Sequence, residues 1–133
     1  MQTVNKYMIG DLLNPLGGSA DIDEKIFEYQ NVDSNNEIEI KKIISGNIKP
    51  HYEKQSEAYK LSAKLSLSYF LTTNRIDYGY VYDSCLIAFD HPTDARVFFL
   101  WIWEVLFPGE DYHIENVKNY SEIEDVNEAN NYL

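Results

Sequence analysis

Apolar and polar residues alternate along the middle of the chain, and this period of two predicts β-strands. Between 61 and 71 every second residue is apolar, and serine or lysine fills the positions between them as far as 68. The alternation returns over 76–82, and 85–89 continues as an apolar run. Successive side chains of a strand point to opposite faces, so one face of each strand would be buried. We therefore predict a hairpin turning at 72–75, although Ala, Leu and Lys in its first strand favour a helix.

An earlier pair of segments, 25–32 and 37–44, predicts a second hairpin. They flank the sequence Asp-Ser-Asn-Asn at 33–36. These residues form turns readily, because their side chains bond nearby backbone and Asn tolerates positive φ. A helix over 22–30 is the alternative, since apolar residues there also fall at i, i+4 and i+7.

The most apolar segment, 94–107, predicts a buried helix. Eleven of its 14 residues are apolar, so it needs cover on most sides, and its two tryptophans are assigned to the core. The run 98–103 also has strand propensity. Helix-start signals at Asp90 or Thr93 and the stop Pro-Gly at 108–109 favour the helix.

Three shorter helices complete the predicted elements. The first spans 4–12, with Thr3 as its cap and Pro15 as its end. The second follows Pro50 over 51–60, where Glu, Lys, Gln and Ala occur. The third is an acidic helix that begins at the capping-box sequence 121–124, and a frayed tail is the alternative for the last residues.

These elements predict one α+β domain over residues 1–133. An antiparallel sheet from two hairpins would pack against the single strongly apolar helix, with the N-terminal helix and an acidic C-terminal segment beside it. A length of 133 residues and a hydrophobic fraction of 44% suit one domain with a real core.

Charge divides the chain into a neutral centre and two acidic flanks. The net charge is −11. Residues 20–39 carry −6 and 104–133 carry −7, whereas 40–103 carry +2. This balance argues against a nucleic-acid binder, which needs a basic face, and against docking on anionic lipid. The flanks are either solvated faces that maintain solubility or one negative surface that attracts a basic partner.

The chain has no signal-like N-terminus, and its apolar run is too short to span a membrane. Cys85 is its only cysteine, so no intrachain disulfide can form. We therefore expect a cytoplasmic protein.

No residue pattern predicts catalysis or a cofactor. The three histidines, His51, His91 and His113, lack partners at metal-ligand spacing. The segment 110–115 gathers three carboxylates and one imidazole, and we interpret it as an acidic surface strand rather than a metal site. Cys85 lies in an apolar run and is predicted to be a buried, inert thiol. We expect no enzyme activity, no metal and no cofactor.

Tyrosine is abundant, with 11 residues, and three of them form a row at 78, 80 and 82. On a strand the three rings would share one face. That face either packs in the core with the hydroxyls reaching water, or forms a contact surface, because Tyr buries much area at a low entropic cost.

In overall profile the chain resembles bacterial immunity proteins of polymorphic toxin systems, of the contact-dependent growth inhibition type. The features that carry the resemblance are the two acidic flanks, the tyrosine row and the lack of targeting and catalytic motifs. The resemblance implies a small acidic protein that neutralises a cognate toxin by binding it. An acidic inhibitor would cover the basic groove that a nuclease toxin needs for phosphates.

The acidic flanks and the tyrosine row supply the predicted partner-binding residues. They are Asp21, Asp23, Glu24, Glu28, Tyr78, Tyr80, Tyr82, Glu110, Asp111, Glu115, Glu122, Glu124 and Asp125. The predicted partner is a basic toxin domain, with no direct nucleic-acid or membrane binding. The alternatives are a phage-type DNA mimic that inhibits restriction or CRISPR machinery, and a small α+β enzyme or ligand-binding domain with a histidine in its pocket.

Overall fold

The computed structural model describes residues 1–17, 29 and 31–132, and this part of the chain is mostly helical. The strands are β1 (Gln2–Asn5) and β2 (Tyr120–Ile123). The helices are α1 (Lys6–Leu12), α2 (Glu37–Ile43), α3 (Lys49–Glu53), α4 (Glu57–Thr73), α5 (Tyr78–Ser84) and α6 (Ala95–Leu106). A π-helical turn (Ile44–Ile48) joins α2 to α3, and 3₁₀ turns cover Val117–Asn119 and Glu128–Tyr132.

The predicted antiparallel sheet is wrong. In the described residues the sheet has two strands, and they are parallel, with Gln2 opposite Tyr120 and Asn5 opposite Ile123. One isolated antiparallel bridge joins Gly17 to Ile87. The α+β architecture built from two hairpins is therefore replaced by a helical fold in which a short parallel pair joins two distant segments.

Helix α4 replaces the strand predicted over 61–71. Its cap Ser56 accepts a hydrogen bond from the Tyr59 amide, and Asn74 ends it in the left-handed conformation, with φ of 56°. The helix packs against α1, α6 and β1, so it is buried on several sides. Ser66 lies fully buried and accepts from the Asn5 amide at 3.0 Å. The alternation of apolar and polar residues does not predict a strand correctly here, because serines between the leucines, Ser66 and Ser68, are also buried.

Helix α5 replaces the second predicted hairpin strand over 76–82. Its cap Asp77 accepts from the Tyr80 amide. The apolar run 85–89 is not a strand either; it is a turn that carries the single bridge residue Ile87. On a helix, positions 78 and 82 share one face and position 80 points away from it, so the predicted common face of the three tyrosines is wrong.

The segment predicted as a strand over 37–44 is instead α2 and the start of the π-helical turn. Ile40, Ile44 and Ile48 recur every four residues and are all fully buried, which fixes the inner face of this helical stretch. In the π-helical turn the Lys49 amide donates to the Ile44 carbonyl five residues back. Pro50, which has no amide hydrogen, then falls in the first turn of α3, where none is needed.

The first strand of that hairpin, 25–32, and the alternative helix over 22–30 lie mostly outside the described residues. Of the described positions there, Tyr29 accepts a turn hydrogen bond from the Val32 amide at 3.1 Å. The short helix predicted over 51–60 is divided in the structure, because α3 ends at Glu53 and α4 begins at Glu57.

The buried helix predicted over 94–107 is confirmed as α6. Its cap is Asp94, rather than Asp90 or Thr93, and its end lies directly before the predicted Pro-Gly stop. Trp101 and Trp103 are buried, as expected. Within the ranges that the structure describes, no helix combines the length and apolar character needed to cross a membrane.

The two ends of the chain differ from their predicted elements in detail. An N-terminal helix is confirmed, but it is capped by Asn5 rather than Thr3, because 2–5 form β1. The acidic helix predicted to begin at the capping-box sequence 121–124 is wrong, since β2 occupies Tyr120–Ile123.

Candidate partner-binding groove

Exposed apolar side chains of the described residues gather around one groove. Four of them, Tyr7, Tyr80, Leu86 and Val126, line a cavity of about 380 Å³ between α1 and α5. We call this cavity the Tyr80 groove. Its remaining lining residues are Lys6, Gly10, Asp11, Asn14, Val81, Ser84 and Cys85. Large exposed apolar residues grouped in this way are typical of an interaction site.

The groove owes its form to the close packing of α1 on α5. A Cβ atom on Gly10 would lie 3.9 Å from both the Val81 side chain and the Cys85 sulfur, so the two helices meet here at van der Waals distance. The Cys85 thiol donates to the carbonyls of Gly10 at 3.5 Å and Val81 at 3.3 Å. These contacts form the floor of the groove and leave Tyr80 on its rim.

Leu86 also lines the groove, in an unusual backbone conformation. Its φ is 53°, and its side chain is 60% exposed. The left-handed region is costly for a bulky residue, at about 1–2 kcal/mol. The turn is held because Gly17 packs on the Cys85 carbonyl, at a place where any Cβ would lie only 2.3 Å from that oxygen. An apolar side chain is thus held in solvent by a strained backbone.

A second, smaller cavity of about 170 Å³ continues the Tyr80 groove and brings in acidic residues. Tyr80, Lys6 and Val81 line both cavities, and the second adds Glu122 and Glu124. Together the two cavities are lined by four carboxylates and two basic side chains: Asp11, Asp77, Glu122, Glu124, Lys6 and Arg75.

The charged residues of these cavities are paired within the chain. Lys6 Nζ lies 3.2 Å from a Glu124 oxygen, and Arg75 pairs with Glu122. The hydrogen bond to Glu124 raises the pKa of Lys6 above its ordinary value. The Asp11 carboxylate accepts from the side-chain amide of Asn14 at 2.8 Å and from the Tyr59 hydroxyl. Burial, with a further contribution from Asp11, raises the pKa of Tyr59, which therefore stays neutral.

Of the tyrosine row, only Tyr80 belongs to this surface. Tyr78 and Tyr82 are buried, and their hydroxyls donate to the carbonyls of Phe70 and Phe89, each at 2.6 Å. Burial raises the pKa of Tyr78 to about 12. These two rings pack in the core as one of the two sequence interpretations had it, although their hydroxyls meet backbone rather than water.

Those of the predicted acidic partner residues that the structure describes do not converge on one surface. Glu122 and Glu124 lie beside Tyr80, whereas Glu110 pairs with Lys64 at 2.8 Å elsewhere on the molecule. Asp111 accepts from the amide of His113, and Asp125 accepts from the amide of Asn127. Glu115 lines a separate open depression, and Asp21, Asp23, Glu24 and Glu28 lie outside the described residues.

The segment 110–115 is irregular, so the predicted surface strand there is wrong. Within the described parts of the chain, no group of three or more His, Cys, Asp or Glu side chains is arranged to hold a metal ion. His91 and His113 line open depressions of about 580 and 490 Å³. Burial, with a smaller effect of Asp11, raises the pKa of the half-buried Cys85 to about 11, which keeps the thiol protonated and unreactive.

Sequence reasoning missed Tyr7, Leu86 and Val126 as surface residues. Tyr7 belongs to the apolar series at helical spacing over 4–12, which predicts that it faces inward, but it is 40% exposed. Leu86 lies in an apolar run, which predicts burial. Its exposure follows from its positive φ, which the sequence pattern does not predict.

The chain matches no protein-family model, no curated protein and no solved structure. Function is therefore inferred from the groove and the charge of the molecule.

Proposed function

We propose that this chain is an immunity protein that binds and neutralises a cognate basic toxin domain, of the nuclease type, through the Tyr80 groove. The observation that carries the proposal is the convergence of four exposed apolar side chains on one groove beside Glu122 and Glu124. The site of action is the cytoplasm, where a toxin delivered into the cell would meet it.

The apolar rim supplies the anchors that tight binding needs. A few desolvated side chains carry most of the energy of a protein interface, and Tyr is among the commonest of them. Tyr80 is 71% exposed and Leu86 is 60% exposed. Both would become buried on binding without disturbing the core beneath them.

The charge supplies attraction and selects the partner. A net charge of −11 repels nucleic acid and attracts a protein with a basic groove. Once bound there, an acidic surface would exclude the phosphates that a nuclease must hold.

The test is binding of the purified chain to the toxin domain encoded directly upstream of its gene. Tyr80→Ala and Leu86→Ala should each weaken the affinity by about 30-fold or more, since a hot-spot side chain contributes about 2 kcal/mol. Ile38→Ala and Leu61→Ala are the matched controls, because these apolar residues are similarly exposed, at 73% and 57%, but lie outside the groove. The controls should bind as the unsubstituted chain does.

Two outcomes contradict the proposal. One is the absence of binding to that domain. The other is binding to a restriction or CRISPR complex instead, which would identify the chain as a DNA mimic. Equal losses in the groove variants and the control variants would place the interface elsewhere.

A further inference from the structure

One cationic side chain of the protein itself, Lys6, lines the Tyr80 groove. Lys6 Nζ lies 5.4 Å from the centre of the Tyr7 ring and 3.2 Å from a Glu124 oxygen. Tyr80 lines the same cavity. An ammonium group over an aromatic face is attracted by the ring, and a carboxylate beside it adds a second attraction. The mouth of the groove is therefore suited to a positive charge.

The rest of the groove is suited to the stem that carries such a charge. Its floor is formed by Gly10, Val81 and Cys85, and one rim is Leu86. Asp11 is the carboxylate that lines this cavity, and Glu124 lines the adjoining one. Long basic side chains bury their methylene groups on apolar surface and keep the charged end at polar groups.

We propose that the Tyr80 groove receives an arginine side chain of the partner, and that Lys6 is an internal competitor for the same position. The arginine stem lies on Val81 and Leu86, and its guanidinium takes the place of the Lys6 ammonium, over the Tyr7 ring and beside Glu124. Arginine is favoured over lysine because its planar group both stacks on rings and pairs with carboxylates through two hydrogen bonds. This inference rests on the proposed function for the identity of the partner, and adds the chemistry of the contact.

The ion pair that holds Lys6 in place is a surface pair. Its side chain is about one-third exposed, and Glu124 is 70% exposed, so the pair is open to exchange. Surface ion pairs contribute little to stability. Displacing Lys6 therefore costs the fold little. Removing its charge frees both the Tyr7 ring and the Glu124 carboxylate for the partner.

The test uses acetyl-Gly-Arg-Gly-amide as a probe, titrated into the full chain while the NMR signals of the groove residues are followed. Lys6→Met, which keeps the apolar stem, should tighten binding of the peptide at least threefold. Tyr7→Ala, which removes the ring under the cation, should weaken it at least threefold. The matched control is Lys60→Met, which removes the same charge and one ion pair, that with Glu57, away from the groove. It should leave the affinity unchanged, and the neutral peptide acetyl-Gly-Gln-Gly-amide should not shift the groove signals.

The inference is overturned if Lys6→Met and Lys60→Met tighten binding equally, because the effect would then be one of net charge. It is also overturned if the neutral peptide binds as well as the arginine peptide. Failure of the proposed function is distinguishable from both results. The peptide would then bind with the expected pattern, while the toxin domain would not bind at all.

Discussion

At the scale of single residues, Leu86 has a backbone conformation that leucine rarely adopts. Its φ of 53° places a branched apolar residue in a region that Asn and Gly occupy readily. The other described non-glycine residue with positive φ is Asn74, which is suited to it. Strain of this kind persists only where the surrounding contacts hold it, and it is common at binding sites.

Leu86→Asn should therefore raise the free energy of unfolding by about 1 kcal/mol, as the strain is relieved and little buried area is lost. Chemical denaturation measures the change. Leu61→Asn is the control, since Leu61 is equally exposed but lies within α4, where Asn is the poorer helix former. It should destabilise the protein slightly. A loss of stability in Leu86→Asn would show that the conformation of Leu86 costs nothing.

At the scale of elements, the sequence was informative where a segment carries its own boundaries. Helix α6 has a cap before it and Pro-Gly after it, and its prediction holds. Helix α4 has an equally good cap in Ser56, but the alternation within it pointed to a strand. A helix that is buried on several sides does not need polar residues on a separate face, because small polar residues such as Ser66 can also be buried. Its apolar residues can therefore alternate with polar ones as they do in a strand.

The C-terminal 3₁₀ turn is attached to the fold by one buried carboxylate. Glu128 accepts hydrogen bonds from the side-chain amide of Asn5 at 2.9 Å, from the Tyr132 hydroxyl at 2.6 Å and from the Ser62 hydroxyl. Burial alone would raise the pKa of Glu128, but the hydrogen bonds outweigh it, and the pKa lies below its usual value. The ionised form is thus the one that joins β1, α4 and the last turn.

Glu128→Gln should lower the free energy of unfolding by about 2 kcal/mol at pH 7, because hydrogen bonds to a charged group are lost. The folded-state pKa is depressed, so this contribution is present above about pH 4.3, the ordinary glutamate value, and is lost as the pH falls through the lower folded value. Denaturation curves from pH 7 to pH 3 should therefore converge for the two proteins. Glu115→Gln, at an exposed position, should show no such convergence. A constant difference across this range would contradict the assignment.

At the scale of the whole molecule, the acidic flanks are less free than their charge indicates. In the described residues, four acids of the second flank pair with basic residues outside it. The pairs are Glu104 with Lys41, Glu110 with Lys64, Glu122 with Arg75 and Glu124 with Lys6. Sequence alone gave the sign and position of the charge. It could not give the pairing, which depends on how distant segments meet.

The same limit applies to the candidate site. Tyr80, Glu122 and Glu124 were predicted, because residue type alone suggests them. Tyr7 and Leu86 were not, because their exposure follows from the packing of α1 against α5. Tyr78 and Tyr82 were grouped with Tyr80 through the wrong period, and their burial follows once the segment is helical.

A net charge of −11 should make association with a basic partner strongly dependent on salt. The association rate should fall by about tenfold or more between low and high ionic strength, because screening shortens the range of attraction. Stopped-flow mixing with the toxin domain measures this rate. Leu86→Ala should change mainly the dissociation rate, which separates the apolar anchor from the attraction. An association rate that does not change with salt would contradict the proposal that charge attracts the partner.

The parallel pairing of β1 with β2 has a consequence for synthesis in the cell. β1 is synthesised before α1 to α6, whereas its partner β2 and Glu128 are synthesised after them. At about 5–20 residues per second, the strand waits roughly ten seconds with its hydrogen-bonding edge open. Under the proposed function, a newly made copy cannot protect the cell until translation has passed residue 128. Protection then depends on a stock of finished copies, accumulated before the toxin arrives.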